Sequence, residues 1–90
     1  MADSPPAFVY LLRCSDGSLY CGWTTDVQRR LRQHQAGAAS RYTCTRRPVQ
    51  VAWSRPMPSR SAAMREEARI KRLSRREKLR LVRTGGPGAD

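Results

Sequence analysis

The sequence predicts a small α+β domain in which a three-stranded sheet, antiparallel or mixed, is flanked by helices. The chain has 90 residues, which is too short to build two hydrophobic cores. Three short segments are rich in β-branched and aromatic residues, as strands are. The more polar segments around them begin with residues that cap helices. The predicted order of elements is β-β-α-(α)-β-α-α.

The first two strands form a predicted hairpin. Residues 7–14 are apolar and aromatic and too short for a helix of typical length. Residues 15–18 have the composition of a turn. Residues 19–24 contain aromatic and β-branched side chains and form the returning strand.

The register of this hairpin decides whether Tyr10 and Tyr20 share a face of the sheet. A two-residue turn would pair Arg13 with Tyr20 and place the two tyrosines on opposite faces. A three-residue loop, with Gly17 in the left-handed conformation, would pair Leu12 with Tyr20 and place both on one face. The residues alone leave both registers open.

One helix and one short segment follow the hairpin. Thr25 and Gln28 have the spacing of a capping box, and Gly37 can end a helix. We therefore expect a helix over residues 26–36. Residues 40–45 predict a short helix or an ordered loop.

The second half of the chain contains the third strand and two further helices. Residues 48–55 alternate apolar and polar side chains, and residues 56–58 contain two prolines that end the strand. Ser59 can cap a helix that runs to about residue 73. A second capping box opens a last helix over residues 74–83.

The chain ends and the cysteines indicate the class of protein. We expect residues 1–6 to be disordered, residues 7–83 to form the domain and residues 84–90 to form a flexible tail. No apolar run reaches the roughly 18 residues of a membrane span, and the first residues lack the pattern of a secretory signal. Three cysteines and one histidine argue against a disulfide framework or a structural zinc site. We expect reduced thiols and a cytoplasmic location.

The charge is strongly positive and unevenly distributed. The chain has 18 Lys+Arg against 7 Asp+Glu, a net charge of +11. Residues 26–55 carry seven arginines, and residues 56–84 carry ten cations. Such an arginine-rich field suits phosphate backbones, so nucleic acid is the predicted partner. A lipid surface and a merely solvated basic face are the alternatives. The cations that we expect to contact nucleic acid are Arg29, Arg41, Arg46 and Lys71.

The scarce carboxylates exclude several kinds of active site. No cluster of acidic residues supplies the converging ligands of a two-metal nuclease. No G-x-x-x-x-G-K-[ST] segment is present, so a nucleotide cofactor is not predicted. A Cys–His nucleophile would need a third orienting group that the spacing does not supply.

Two adjacent glutamates have different predicted surroundings. Glu67 shares a helical face with Ala63 and Ile70, so we expect its side chain to be half buried. Glu66 points elsewhere, and we expect a plain surface residue. An ordinary helical ion pair between Glu67 and Lys71 is the alternative to a functional role.

Arg30 and His34 are four residues apart on the first predicted helix. This spacing places them on one face, where they could present two donors to a phosphate. An ordinary basic helix face is the alternative, because Arg29 and Arg32 lie alongside.

Taken in order, these residues resemble the GIY-YIG nuclease superfamily. Residues 9–11 and residues 20–22 hold the two tyrosine motifs, and Arg30, His34 and the helix with Glu67 follow them. The resemblance covers residues 7–83 and is strongest for the small single-domain YhbQ-like or UPF0213 group.

This resemblance implies an endonuclease that uses one Mg²⁺ or Mn²⁺ ion in DNA processing or repair. It implies that DNA rather than RNA is the partner, without a nucleotide cofactor or a membrane. Tyr10 and Tyr20 would both lie in the site, which favours the three-residue loop, and Tyr20 would orient or deprotonate water. Arg30 would stabilise the phosphoryl oxygens, His34 would donate or relay a proton, and Glu67 would hold the metal.

The sequence departs from the family pattern at several positions of the two motifs. Phe8 stands where Gly is usual, and Val9 and Cys21 stand where Ile is usual. Trp23 stands where many active relatives carry Lys, which removes a cation near the attacking water. The alternative function is therefore a catalytically weak or inactive nucleic-acid-binding module on the same fold.

Overall fold

Three antiparallel strands form the sheet: β1 Ala7–Arg13, β2 Leu19–Thr24 and β3 Gln50–Met57. The structure is a computed structural model and describes residues 6–85. The strand order is β2-β1-β3, so β1 is central and the other two are edge strands. The α+β class is confirmed, and the sheet is antiparallel rather than mixed.

Four helices accompany the sheet: α1 Val27–Gln35, α2 Arg41–Cys44, α3 Arg60–Lys71 and α4 Arg75–Thr84. The predicted order of elements is confirmed. The predicted disordered N-terminus and flexible tail lie outside the described residues, apart from residue 6 and residues 84–85. No helix within residues 6–85 has the length and apolar character needed to cross a bilayer.

The hairpin adopts the three-residue loop. Leu12 pairs with Tyr20 and Tyr10 pairs with Gly22, so both tyrosines lie on one face of the sheet. Gly17 has φ 85°, a left-handed conformation that glycine adopts without steric cost. Of the two registers that the residues left open, the structure selects this one.

Helix α1 begins one residue later than expected. The Asp26 carboxylate, rather than the Thr25 hydroxyl, accepts the Arg29 N–H at 3.0 Å. The predicted Thr25 cap was wrong because the next residue is a stronger cap, whose negative charge also favours the helix N-terminus. Gly37, with φ 81°, follows the C-cap and ends the helix as predicted.

The remaining boundaries follow their predicted caps with small shifts. Ser59 caps α3, and Ser74 forms its capping box with Glu77 at the start of α4. Helix α3 ends at Lys71, two residues before the predicted end. Pro56 was expected to end β3 but lies within it, because an edge strand tolerates a residue without an N–H donor.

Alternate residues of β1 point to opposite faces of the sheet and build two cores. On one face, Val9 and Leu11 pack with Cys21, Trp53 and Ile70 under α3 and α4. We call this the α3 face. The other face, called the α1 face, has the remaining β1 side chains beneath α1. Its buried cluster contains Tyr10, Leu12, Cys14 and Val49, with Leu31 of α1 packed against it.

Candidate active site

One cavity of about 390 Å³ is lined by four of the five residues that the family resemblance implies for an active site. Tyr10 and Tyr20 reach it from the α1 face, with Arg30 of α1. Glu67 and Arg60 reach it from α3, on the opposite face. The two sets meet at β2, an edge strand whose residues 22–24 also line the cavity. The sheet edge therefore brings together side chains from both cores.

Tyr10 begins a buried chain of hydrogen bonds. Its hydroxyl lies 3.0 Å from His34 Nε2, and His34 Nδ1 lies 2.7 Å from Thr43 Oγ1. His34 is 1% exposed and Thr43 is fully buried. The Thr43 hydroxyl also donates a long hydrogen bond to the Ser40 carbonyl at 3.4 Å. His34 does not line the cavity but supports Tyr10 from behind.

Burial sets the protonation of this chain. Burial lowers the pKa of His34, and the neighbouring Arg30 charge lowers it further. Burial also raises the pKa of Tyr10 well above its ordinary value, with the Tyr20 phenol adding to the rise and Arg30 opposing it. With the phenol protonated and the imidazole neutral, each of these polar groups has a hydrogen-bond partner. Tyr10 then donates to His34 Nε2, and His34 Nδ1–H donates to Thr43 Oγ1.

Gly22 creates the space that the Tyr10 ring occupies. A Cβ atom at this position would lie 2.5 Å from the Tyr10 hydroxyl oxygen and 2.7 Å from its ring carbon Cζ. Any side chain would therefore displace the phenol from the cavity. The second tyrosine motif therefore supplies Tyr20 and also, at Gly22, the space that the Tyr10 ring fills.

Tyr20 belongs to a stack that continues to the protein surface. Its ring centroid lies 5.2 Å from that of His34 and 5.8 Å from that of Tyr42, at 27° to the Tyr42 plane. The Arg46 guanidinium lies 3.9 Å above the Tyr42 centroid. Tyr42 was missed by the sequence analysis. The signal that the sequence offered was an aromatic residue on a short polar segment. In the structure this residue is 38% exposed and lies beside the site.

Glu67 supplies a half-buried carboxylate to the cavity. Its side chain is 21% exposed, and one carboxylate oxygen lies 3.4 Å from Lys71 Nζ. The helical ion pair and the cavity position, posed as alternatives, are therefore both present. Within residues 6–85 no cluster of three His, Cys, Asp or Glu side chains could share a metal. A lone carboxylate beside an open cavity suits a hard divalent cation that keeps waters and takes oxygens from its substrate.

Glu66 is not the plain surface residue that we expected. Its side chain is 16% exposed and contacts Arg55 of β3 at 3.0 Å and Arg69 at 2.6 Å. The hydrogen bond from Arg69 lowers the pKa of this carboxyl, with the charges of both arginines adding to the effect. The expectation failed because helical spacing could not show that position 66 faces β3. This ion pair joins α3 to the sheet edge outside the cavity.

The four cations expected to contact nucleic acid have different surroundings. Arg29 and Arg41 are exposed. Arg46 is engaged by Asp16 at 3.0 Å and by the Tyr42 carbonyl at 2.9 Å. Lys71 pairs with the cavity carboxylate. Arg60, which was not among the expected contacts, lines the cavity.

Comparison with known proteins identifies the family. The model of the GIY-YIG catalytic domain matches residues 6–80. The chain belongs to the GIY-YIG family. This is a nuclease family, so the domain is of the nuclease type, and the family points to nucleic acid as the class of substrate.

Relatives of similar length carry the name UPF0213 protein. A UPF0213 protein of Streptococcus sanguinis is 48% identical over 86% of this chain and 88% of its own. The UPF0213 protein of Halobacterium salinarum is 51% identical over 78% of this chain and 91% of its own. The solution structure of the UPF0213 protein BH0048 from Bacillus halodurans is 46% identical. It superposes with a TM-score of 0.58 over 90% of this chain and 87% of that one. The fold is therefore that of the UPF0213 proteins.

Proposed function

We propose that this protein is an endonuclease that hydrolyses phosphodiester bonds with the help of one Mg²⁺ or Mn²⁺ ion held by Glu67. The observation that supports this best is the convergence of Tyr10, Tyr20, Arg30 and Glu67 on one cavity. These side chains come from four different elements, and packing alone would not require them to meet. DNA is the proposed substrate, in processing or repair.

The cations of the cavity fit the charge that develops during phosphodiester hydrolysis. Arg30 and Arg60 both line the cavity and would neutralise the non-bridging oxygens of the reacting phosphate. A divalent ion on Glu67 would add positive charge at the same phosphate and stabilise the leaving oxygen. One carboxylate is sufficient for this arrangement, which agrees with the few acidic residues of the chain.

Tyr10 and His34 form the proposed proton acceptor. A water in the cavity would transfer a proton to the Tyr10 oxygen, while the phenol proton passes to His34 Nε2 across the 3.0 Å hydrogen bond. The products of this transfer would be hydroxide and an imidazolium, so no free phenolate forms at a site that raises the pKa of Tyr10. Because the pKa of His34 is lowered, this imidazolium would be short-lived and would readily give up its proton. Tyr20 lines the cavity and would orient the water.

The second candidate function is nucleic-acid binding without turnover. Trp23 lines the cavity at the position where many active relatives carry Lys. The missing cation would slow attack on the phosphate, while the basic surface would still hold a strand.

A cleavage assay with two matched variants tests the proposal. Labelled single- and double-stranded DNA and RNA are incubated with Mg²⁺, Mn²⁺ or EDTA. Glu67→Gln should reduce cutting at least about 100-fold, because the metal contributes several kcal/mol to the transition state. Glu66→Gln is the control, since the same change on the neighbouring residue lies outside the cavity and should leave cutting intact.

Two outcomes would contradict the proposal. Equal cutting by the wild type and Glu67→Gln would indicate a contaminating nuclease. Salt-sensitive binding with no cutting under any metal would establish the binding module instead.

A further inference from the structure

A second, smaller cavity lies beside the candidate active site. Its volume is about 220 Å³, and it is lined by Ser18, Leu19, Tyr42, Arg75 and Lys78. We call it the α4 cavity, because both cations come from that helix. Tyr42 stacks on Tyr20, which lines the active-site cavity. The stacked pair therefore joins the two cavities along one surface.

The cations of α4 are not neutralised by the protein. The helix carries five of them and one carboxylate, Glu77. Glu77 accepts the Ser74 N–H at 2.9 Å in the capping box. Within the described part of the chain, every salt bridge involves Asp16 or a glutamate of α3, and none involves α4. A fixed positive field without a protein partner is the footprint of an anionic ligand.

The donors of the α4 cavity are arranged in advance. One guanidinium nitrogen of Arg75 donates to the Gly17 carbonyl at 2.9 Å. This bond holds the group at the cavity rim and leaves its other N–H donors free for a phosphate. Lys78 lies three residues further on, so it shares the same helix face. Together they offer a planar fork and a mobile ammonium to one anion.

The α4 cavity suits the phosphate of a nucleic acid better than its base. The Tyr42 ring is already stacked on Tyr20 and covered by the Arg46 guanidinium. The ring is thus already engaged in two contacts, whereas the cavity beside it is lined by two cations that suit a phosphate. These contacts carry no sequence information, so they would position a strand without reading it.

We propose that the α4 cavity binds a phosphate of the same nucleic acid strand whose reacting phosphate enters the active-site cavity. The proposal rests on the proposed function and deepens it, because it states where the strand leaves the site. It also revises the expected contacts. Arg46 and Lys71 are occupied by carboxylates, whereas Arg75 and Lys78 were not among the predicted contacts and have no carboxylate partner within residues 6–85.

A binding measurement in EDTA tests this subsite without cleavage. A short fluorescent single strand of DNA is titrated with the wild type, Lys78→Gln and Arg76→Gln. Lys78→Gln should weaken binding roughly fivefold, as expected for one partly exposed charge pair. It should also reduce the slope of log affinity against log salt by about 0.7. Arg76→Gln loses the same charge from the same helix, lines neither cavity, and should have a clearly smaller effect.

A backbone scan locates the contact on the strand. One linkage at a time is replaced by a neutral methylphosphonate. The wild type should lose affinity at one linkage on one side of the reacting phosphate. Lys78→Gln should lose clearly less there, because its ammonium is already absent and only Arg75 still contacts that phosphate. If Lys78→Gln and Arg76→Gln weaken binding equally, or if no linkage couples to Lys78, the subsite is wrong. In that case, cutting that depends on Glu67 would still support the proposed function. Conversely, coupling between one linkage and Lys78 without any cutting would support the subsite alone.

Discussion

The two faces of the sheet share the strand β1 and differ in what holds them together. On the α3 face, the buried cluster Val9, Leu11, Cys21, Trp53 and Ile70 is apolar in character. Its indole N–H is the one buried side-chain polar atom without a partner within residues 6–85. On the α1 face, His34 and Thr43 are buried polar groups joined to a tyrosine by hydrogen bonds.

This difference shows how a domain of this size separates stability from chemistry. Helix α1 has few apolar side chains, and the residue that it buries is His34. The hydrogen bonds of that imidazole hold α1 and α2 to the sheet and also orient Tyr10. We therefore expect changes on the α3 face to alter the free energy of unfolding most, and changes on the α1 face to alter activity and pH response.

The largest expected effect lies on the α3 face. Leu11→Ala removes a fully buried side chain and should lower the free energy of unfolding by about 3 kcal/mol, through lost transfer energy and a residual cavity. Urea denaturation measures it. Met64→Ala on α3, at a residue that is 52% exposed, should change stability by no more than about 0.5 kcal/mol. Equal losses in the two variants would contradict the assignment of the core.

The second largest expected effect is at Gly22 of β2, which packs against the Tyr10 ring. Gly22→Ala places a Cβ 2.5 Å from the Tyr10 hydroxyl. It should cost about 1–3 kcal/mol by overpacking and abolish cutting by moving the phenol. In a Tyr10→Ala background the same change should cost little, because the ring is absent. Additive losses in the double variant would show that the two residues do not compete for space.

The smallest expected effect is on how the free energy of unfolding depends on pH, and it comes from His34 on the α1 face. The pKa of His34 is lowered in the folded state, so the unfolded chain binds a proton more readily. Its contribution to stability is fully present above the unfolded pKa of about 6.5 and is lost as the pH falls through the lowered folded pKa. His34→Gln removes the single histidine, so its stability should change less between neutral and mildly acidic pH. Identical pH profiles in urea denaturation would contradict a neutral, buried imidazole.

Local signals predicted most of the fold. The Ser59 cap, the Ser74 capping box and the glycine after α1 all act where the sequence placed them, because such signals depend on neighbouring residues only. The hairpin register stayed open because two turn geometries fit the same residues. The family resemblance favoured the three-residue loop, and the pairing of Leu12 with Tyr20 in the folded sheet confirms it.

The site was predictable in composition and less so in arrangement. Tyr10, Tyr20, Arg30 and Glu67 meet as the family resemblance implied. The burial of His34 behind Tyr10 depends on Thr43, which no sequence pattern marks. Contacts between distant elements likewise explain the one surface expectation that failed and the one aromatic residue that was missed. Glu66 is half-buried against β3, and Tyr42 stacks on Tyr20.

The cavity at the edge of β2 is built from residues that span the chain from Tyr10 to Glu67. During synthesis the sheet residues and Arg30 leave the ribosome first, and the carboxylate of α3 follows after all three strands. A growing chain therefore carries the two phenols and the guanidinium before the carboxylate that completes the cavity. The cavity is therefore complete only after the third helix has docked on the sheet.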